Sequence, residues 1–293
     1  MKFAVFSYSD KSPAKSTINR ILSWCEVHGH TSLVSKTTFE RSDVVKSVSA
    51  VVTQTDEEAV SKSDVILSIG GDGTLLRAAK LALAFQKPIL GINTGRLGFL
   101  ANVSQNNIED ALHYTSIGKF EIDKRALLQA TEPNGTVHYA LNEFLFSKGG
   151  SASMISLCAY FDNMFINRYW ADGIIVASPT GSTAYNMSAG GPIIMPTTDV
   201  MVLNPINPHT LTTRSLVLPS TKELTIKSDT SKNDVIFSKD GEISDIMGDE
   251  FVVKIRRSEF TIGLIKLPEQ TYFDTLRNKL MWGMDVREST NSN

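Results

Sequence analysis

Apolar and polar positions follow two different rhythms along this chain. Residues 2–8, KFAVFSY, form a short apolar run of strand character, and Ile18, Ile21, Leu22 and Cys25 recur at helical spacing within 14–30, before Gly29. A short TSLV run follows, then a polar, weakly patterned stretch over 36–62. DVILSIGGDGT, residues 64–74, reads as a buried strand emptying into glycines. Residues 75–85, LLRAAKLALAF, are rich in Ala and Leu, strong helix formers, and Thr74 sits where an N-cap is wanted. After Pro88 the run ILGIN reads as another strand. Strand and helix thus alternate over roughly the first hundred residues, as they do in open parallel sheets.

Past Leu100 the rhythm changes. ALLQATE, HYALNEFLFSK, SLCAYF, GIIVAS, SLVLP, ELTIKS, DVIFSK, EFVVKIRR and FTIGLIKL are short β-rich runs separated by Asn, Gly, Pro, Asp and Ser. That punctuation predicts a mostly antiparallel sandwich or closed sheet system. Beyond Pro268, TYFDTLRNKLMWGM predicts one last helix, and RESTNSN a polar, frayed, disordered tail. The expected fold class is therefore α/β plus all-β, an open Rossmann-like domain over 1–102 followed by a β-rich domain over 103–267.

Length supports two domains, since 293 residues exceed the roughly 100–200 typical of one. A net charge of -2 gives no reason to expect nucleic acid or an anionic membrane as partner. The two cysteines, Cys25 and Cys158, lie far apart without CxxC spacing, which argues against a disulfide scaffold or zinc ribbon. No run of about 18 apolar residues occurs. These features predict a cytoplasmic protein with no membrane association.

The chemistry concentrates in SIGGDGTLL, residues 68–76. Gly70, Gly71 and Gly73 lack Cβ atoms and can turn backbone N–H groups toward a phosphate, and the following helix adds its positive end. A carboxylate at Asp72 repels a phosphate unless a cation or an incoming hydroxyl stands between them. Asp72 then either activates an attacking alcohol or holds Mg²⁺, and both roles belong to phosphoryl transfer. From this loop alone, a tight turn with Asp72 in a local Asx bond is an equal alternative. No GxxxxGK[ST] occurs, and GDGTLL has leucine where a dinucleotide fingerprint needs its third glycine.

A second constellation is DGIIVASPTGSTAYNMSAGGPI, residues 172–193, in which an apolar strand empties into hydroxyls and open backbone. Such groups suit sugars, nucleobases and phosphates. An isolated SPTGST is more often a Ser/Thr-rich surface turn, an alternative that the continuation into Gly190-Gly191-Pro192 weakens. Asn142 and Glu143 interrupt the apolar run ALNEFLF, either to receive a ligand or as a solvated face. The five histidines have no metal-ligand spacing.

GGDGTLL, GINTGRLGFL, LNE at 141–143, the SPTGSTAY stretch with its GGP continuation, PINPHTLTTRSLVLP and KDGE at 239–242 together resemble NAD kinases. GGDGT by itself also occurs in diacylglycerol and sphingosine kinases and in phosphofructokinases, whereas SPTGSTAY with GGP is far more specific. The resemblance implies transfer of the γ-phosphate of ATP to the 2'-hydroxyl of the adenosine ribose of NAD. It implies an active site between two domains, with the C-terminal segment, 268–293, returning to the first. By carry-over, Asp72 is the catalytic carboxylate, and Gly70, Gly71, Gly73 and Thr74 form the ATP phosphate loop. Asp72, Gly73, Phe99, Asn142, Glu143, Asp172, Thr180, Thr183, Ala184 and Tyr185 match positions that contact NAD. Mg²⁺ or another divalent metal is expected with ATP rather than at a fixed protein site, and the assembly is expected to be a homodimer or homotetramer. The competing readings are a diacylglycerol-type lipid kinase sharing the glycine loop and a catalytically silent nucleotide-binding sensor.

Overall fold

A computed structural model describes residues 1–8, 12–41, 50–95, 98–150, 153–228, 235–247, 250–268 and 271–281. The chain forms two compact units, the first from residues 1–124 and 262–293, the second from 125–261.

In the first unit, β1 (Lys2–Phe6), β2 (Thr31–Ser35), β3 (Ala50–Thr53), β4 (Val65–Gly70) and β5 (Ile89–Asn93) pair in parallel in the order β3-β2-β1-β4-β5. Helices α1 (Ser12–Val27), α2 (Lys36–Arg41), α3 (Asp56–Ser61), α4 (Asp72–Phe85) and α5 (Ile108–Ser116) belong to the same unit. Every residue of β4 and β5 is buried, the expected state of parallel strands covered on both faces. The weakly patterned stretch over 36–62 contains α2, β3 and α3, each only four to six residues long. Its residues 42–49 lie outside the described ones.

Two boundaries differ from the expectation. The first unit continues past 102 because Ile108, Ala111 and Leu112 of α5 are buried in its core. Residues from Ile262 onward also belong to it, with Ile265 and Leu267 in that core.

The second unit is an antiparallel sandwich. Its chain supplies β6 (Glu121–Thr131, from Arg125 on), β7 (Val137–Ala140), β8 (Glu143–Lys148), β9 (Ile155–Phe161), β10 (Met164–Ala171), β11 (Gly173–Ala177) and the single-turn helix α6 (Tyr185–Ser188). There follow β12 (Val200–Ile206), β13 (Leu216–Pro219), β14 (Leu224–Ser228), β15 (Val235–Lys239), β16 (Glu242–Met247) and β17 (Val252–Lys266). One sheet runs β13-β12-β11-β8-β15-β16, and β10, β9, β14 and the start of β17 pair into the other. Phe144, Phe146 and Phe237 from the first meet Leu157, Leu224, Ile226 and Val253 from the second in one core. The runs EFVVKIRR and FTIGLIKL are a single strand, β17, whose Leu264 pairs with Ile89 of β5 inside the first unit. The final helix, α7, is Tyr272–Leu280, and the tail RESTNSN lies outside the described residues.

Candidate active site

The glycine loop forms where β4 delivers Gly70 to the sheet's C-terminal edge. Gly70 has φ +154, and a Cβ there would lie 2.3 Å from the Thr74 hydroxyl oxygen, so only glycine fits. Helix α4 begins at Asp72, and its N-cap is Gly71, three residues before the expected Thr74. Thr74 N–H instead donates to Gly71 O at 3.0 Å, already inside the first turn. Gly71 and Gly73 are exposed and meet nothing within 4 Å of a would-be Cβ, which leaves their backbone open to a large anion.

Asp72 stands in that first turn and turns its side chain to the loop after β5. Its Oδ2 accepts from Phe99 N–H at 2.8 Å, and its Oδ1 accepts from Leu100 and Ala101 N–H, each at 3.0 Å. The carboxylate therefore clamps three successive amides. Gly98 makes room for it, since a Cβ at 98 would lie 2.0 Å from Asp72 Oδ1. The loop is pinned further back by Asn93 N–H to Val103 O at 2.7 Å and by Asn93 Oδ1 accepting from Gly95 N–H at 2.7 Å. Phe99 is half-buried beside this clamp. Arg96 and Leu97 of the same loop lie outside the described residues. The local Asx alternative is thereby replaced by a long-range brace, in which the carboxylate accepts three backbone bonds. Oδ2 carries one of the three bonds and Oδ1 the other two.

The second unit assembles its own group of residues. The strand expected over HYALNEFLFSK is broken at Leu141 and Asn142, between β7 and β8. Glu143 pairs with Ala177 at the end of β11, so the break lies next to the SPTGST turn. Ser178 Oγ donates to Leu141 O at 2.5 Å, and Ser178 N–H to Asn142 O at 2.8 Å. A Cβ on Gly181 would come within 2.1 Å of Asn142 O, so this glycine lets the two backbones touch. Thr180 is buried with Arg125 Nη1 at 3.5 Å from its hydroxyl, Thr183 and Ala184 are half-buried, and the Tyr185 ring is exposed.

A second carboxylate completes this cluster. Asp240, in the turn between β15 and β16, accepts from Leu141 N–H at 2.8 Å, Asn142 N–H at 2.7 Å and Glu143 N–H at 3.2 Å. The KDGE motif carries no assigned role in the sequence, and Asp-Gly between two strands has the composition of an ordinary hairpin turn. Glu143 is buried, its Oε2 has no hydrogen-bond partner, and burial together with the nearby Asp240 charge pushes its pKa up to about 8.

Asp172 stands apart from this group. It precedes β11, at the opposite end from Ser178, and six residues of extended chain at roughly 3.4 Å each put about 20 Å between them. Lys148 Nζ at 2.6 Å and Asn207 Nδ2 at 3.0 Å hold its carboxyl below the usual carboxylate range. His209 packs its ring on Trp170 at 4.8 Å and donates its own N–H to Trp170 O, a structural role.

Comparison with known proteins agrees with this layout. Residues 3–120 match the family profile of the ATP-NAD kinase N-terminal domain, and residues 141–267 that of the ATP-NAD kinase C-terminal domain. The chain is 42% identical to an NAD kinase of Flavobacterium psychrophilum over 229 residues, 76% of this chain and 78% of that protein. It is 36% identical to an NAD kinase of Bacteroides fragilis over 292 residues, 98% of this chain and 100% of that one. Among solved structures, yeast NADH kinase complexed with NADH superposes with a TM-score of 0.89 at 22% identity, covering 98% of this chain and 89% of that one. An Archaeoglobus fulgidus NAD kinase in complex with ATP does so with a TM-score of 0.73 at 27% identity, covering 95% and 99%.

Proposed function

The chain belongs to the ATP-NAD kinase family and phosphorylates NAD with ATP, and from that premise we propose how its residues divide the work. Asp72 receives the 2'-hydroxyl of the adenosine ribose on Oδ2. The open backbone of Gly71 and Gly73, with Gly70 and Thr74 shaping the turn, takes the polyphosphate of ATP at the positive end of α4. Phe99 shapes the pocket beside Asp72. Asn142, Glu143, Thr180, Thr183, Ala184 and Tyr185 hold NAD through amide, carboxyl and hydroxyl groups and an exposed ring.

A ribose hydroxyl is a far weaker acid than a carboxylic acid, so it keeps its proton while it is being aligned. The proton passes to Asp72 late, as the ribose oxygen bonds to the γ-phosphorus and the bond to the bridging oxygen breaks to release ADP. The single observation that carries this reading is the Asp72 carboxylate, fixed by three amides at the mouth of a glycine loop.

Divalent metal enters with ATP as the partner of its phosphates. Among the described residues no group of three or more His, Cys, Asp or Glu is placed to hold an ion, and Asp72 is engaged by amides. The distance from Asp172 to the Asn142 cluster supports a homo-oligomer, dimer or tetramer, in which Asp172 reaches the NAD of a second copy. The free, buried Cys25 and Cys158 support a reducing, cytoplasmic setting. No observation favours the lipid-kinase or silent-sensor readings.

The test is phosphoryl transfer from ATP to NAD by the purified chain, with identification of the 2'-phosphorylated product, in wild type and Asp72→Asn. Asp72→Asn is expected to lose on the order of a hundredfold or more in turnover. Its amide must also face one backbone N–H with another donor, so its melting temperature should fall as well, by the equivalent of about 1–3 kcal/mol. Turnover close to wild type in the folded variant removes Asp72 from the chemistry.

A further inference from the structure

Asp240 makes side-chain contacts that an ordinary hairpin turn does not require. Its backbone is left-handed, with φ +47, and Gly241 follows at φ +78. Two-residue hairpins need such angles, and Asp tolerates them better than most residues, though less well than glycine. The left-handed placement lets one residue engage the neighbouring chain twice. Asp240 N–H donates to Glu143 O at 3.0 Å, while its carboxylate accepts from the N–H groups of Leu141, Asn142 and Glu143.

The amides it holds belong to the break between β7 and β8, where the chain leaves the sheet and needs other hydrogen-bond partners. The same break is covered on its other side by Ser178 and Gly181. Displacement of Leu141–Glu143 therefore moves the SPTGST turn as well. We propose that Asp240 is a positioning residue: its carboxylate, aimed from a left-handed turn, holds Asn142 and Glu143 in the conformation that receives NAD. This rests on the reading that Asn142 and Glu143 bind NAD.

The arrangement also sets the electrostatics of Glu143. Asp240 brings a second carboxylate to a buried carboxyl whose Oε2 has no partner. Among the described residues, the charged side chains next to Asp240 along the chain are Lys239, at the end of β15, and Glu242, at the start of β16. The end of β11 opposite Glu143 brings Ala177, Ser178 and Pro179, none of which titrates. Loss of the Asp240 charge should therefore leave Glu143 easier to ionise.

Steady-state kinetics with ATP, Mg²⁺ and NAD on the full chain test this in wild type, Asp240→Asn, Asp240→Gly and Glu143→Gln, from neutral to alkaline pH. Asp240→Asn keeps the shape but offers a donor where an acceptor is needed, and Asp240→Gly suits the turn while removing the carboxylate. Both are expected to raise KM for NAD about ten- to a hundredfold, with a smaller change in KM for ATP. In wild type, KM for NAD should change with an inflection near the Glu143 value of about 8, and in both variants that inflection should move to lower pH. A purely structural role does not move the inflection. If Glu143→Gln raises KM for NAD but neither Asp240 variant changes KM or inflection, the role of Asp240 is overturned and the NAD site stands. If Glu143→Gln leaves KM for NAD unchanged, the site reading fails and this inference falls with it. Failure of both Asp240 variants to fold, when glycine fits the turn, also overturns it, since Asp240 would then be needed for the fold itself.

Discussion

Gly98 and Gly71 are both glycines of the candidate site, but a methyl group added at each meets different surroundings. At Gly98 it would lie 2.0 Å from Asp72 Oδ1 and 2.7 Å from its Cγ, and at Gly71 it would meet nothing within 4 Å. Gly98→Ala should therefore expel the carboxylate and leave Phe99, Leu100 and Ala101 N–H groups without their acceptor, each costing about 1–3 kcal/mol if it stays buried. The expected result is a loss of turnover comparable to that of Asp72→Asn, together with a lower melting temperature. Gly71→Ala supplies the contrast, raising KM for ATP with little change in melting. If Gly98→Ala turns over and melts like wild type, Asp72 does not depend on the clamp. Glu143 makes a different prediction. Its pKa is raised from 4.5 to about 8, so across that window the folded state holds a proton that the unfolded chain releases. Stability should then fall as pH rises through the window and level off above it, by on the order of a few kcal/mol in all. Glu143→Gln should flatten that slope in urea titrations repeated at several pH values; an unchanged slope assigns the pH dependence elsewhere.

At the scale of elements, the glycine-rich chain between α6 and β12 is held by a buried polar relay. Asn204 of β12 donates to Asn186 O at 3.2 Å and Asn186 Oδ1 at 3.1 Å, and its own Oδ1 accepts from Ser215 at 2.7 Å. Asn186 Nδ2 in turn donates to Ser182 O and Pro192 O, each at 3.2 Å. Asn204→Ala leaves several of these groups unpaired and should cost about 1–3 kcal/mol, read as a lower urea midpoint with a smaller effect on KM for ATP than on KM for NAD. Equal stability of the variant means that water takes over the relay. The elements legible from sequence were those with undivided burial: β4 and β5 are apolar throughout, and GIIVA of β11 likewise. β10 escaped notice because it has Met164, Phe165 and Trp170 exposed among polar residues, which erases the alternation that marks a half-buried strand. The start of α4 was misplaced because Thr74 looked like the cap, whereas the extended Gly71 takes that position. The candidate residues stand in contiguous motifs that are readable as such. The clamps were not, since Asp72 reaches 27–29 residues and Asp240 97–99 residues along the chain, and local pattern does not record such pairings.

For the molecule as a whole, the question is which parts of the reaction the protein supplies by itself and which arrive with a substrate. Each unit has its own buried core, and the family segments at 3–120 and 141–267 account for most of the chain. Each unit has one clamping carboxylate that accepts from three backbone amides, Asp72 in the first and Asp240 in the second. A resident divalent ion needs several free oxygen ligands converging at one point, and among the described residues no such group of acids, histidines or cysteines occurs. Metal bound only through ATP contributes to turnover without contributing to the stability of the free protein. Chelation should therefore abolish phosphorylation of NAD while leaving the melting temperature of the substrate-free chain unchanged, and added Mg²⁺ should restore activity fully. With ATP present, the same chelator should lower the melting temperature, because the metal-nucleotide complex binds only the folded state. A fall of several degrees on chelation without nucleotide would instead reveal an ion held by the protein itself, and would return Asp72 to the role of metal ligand.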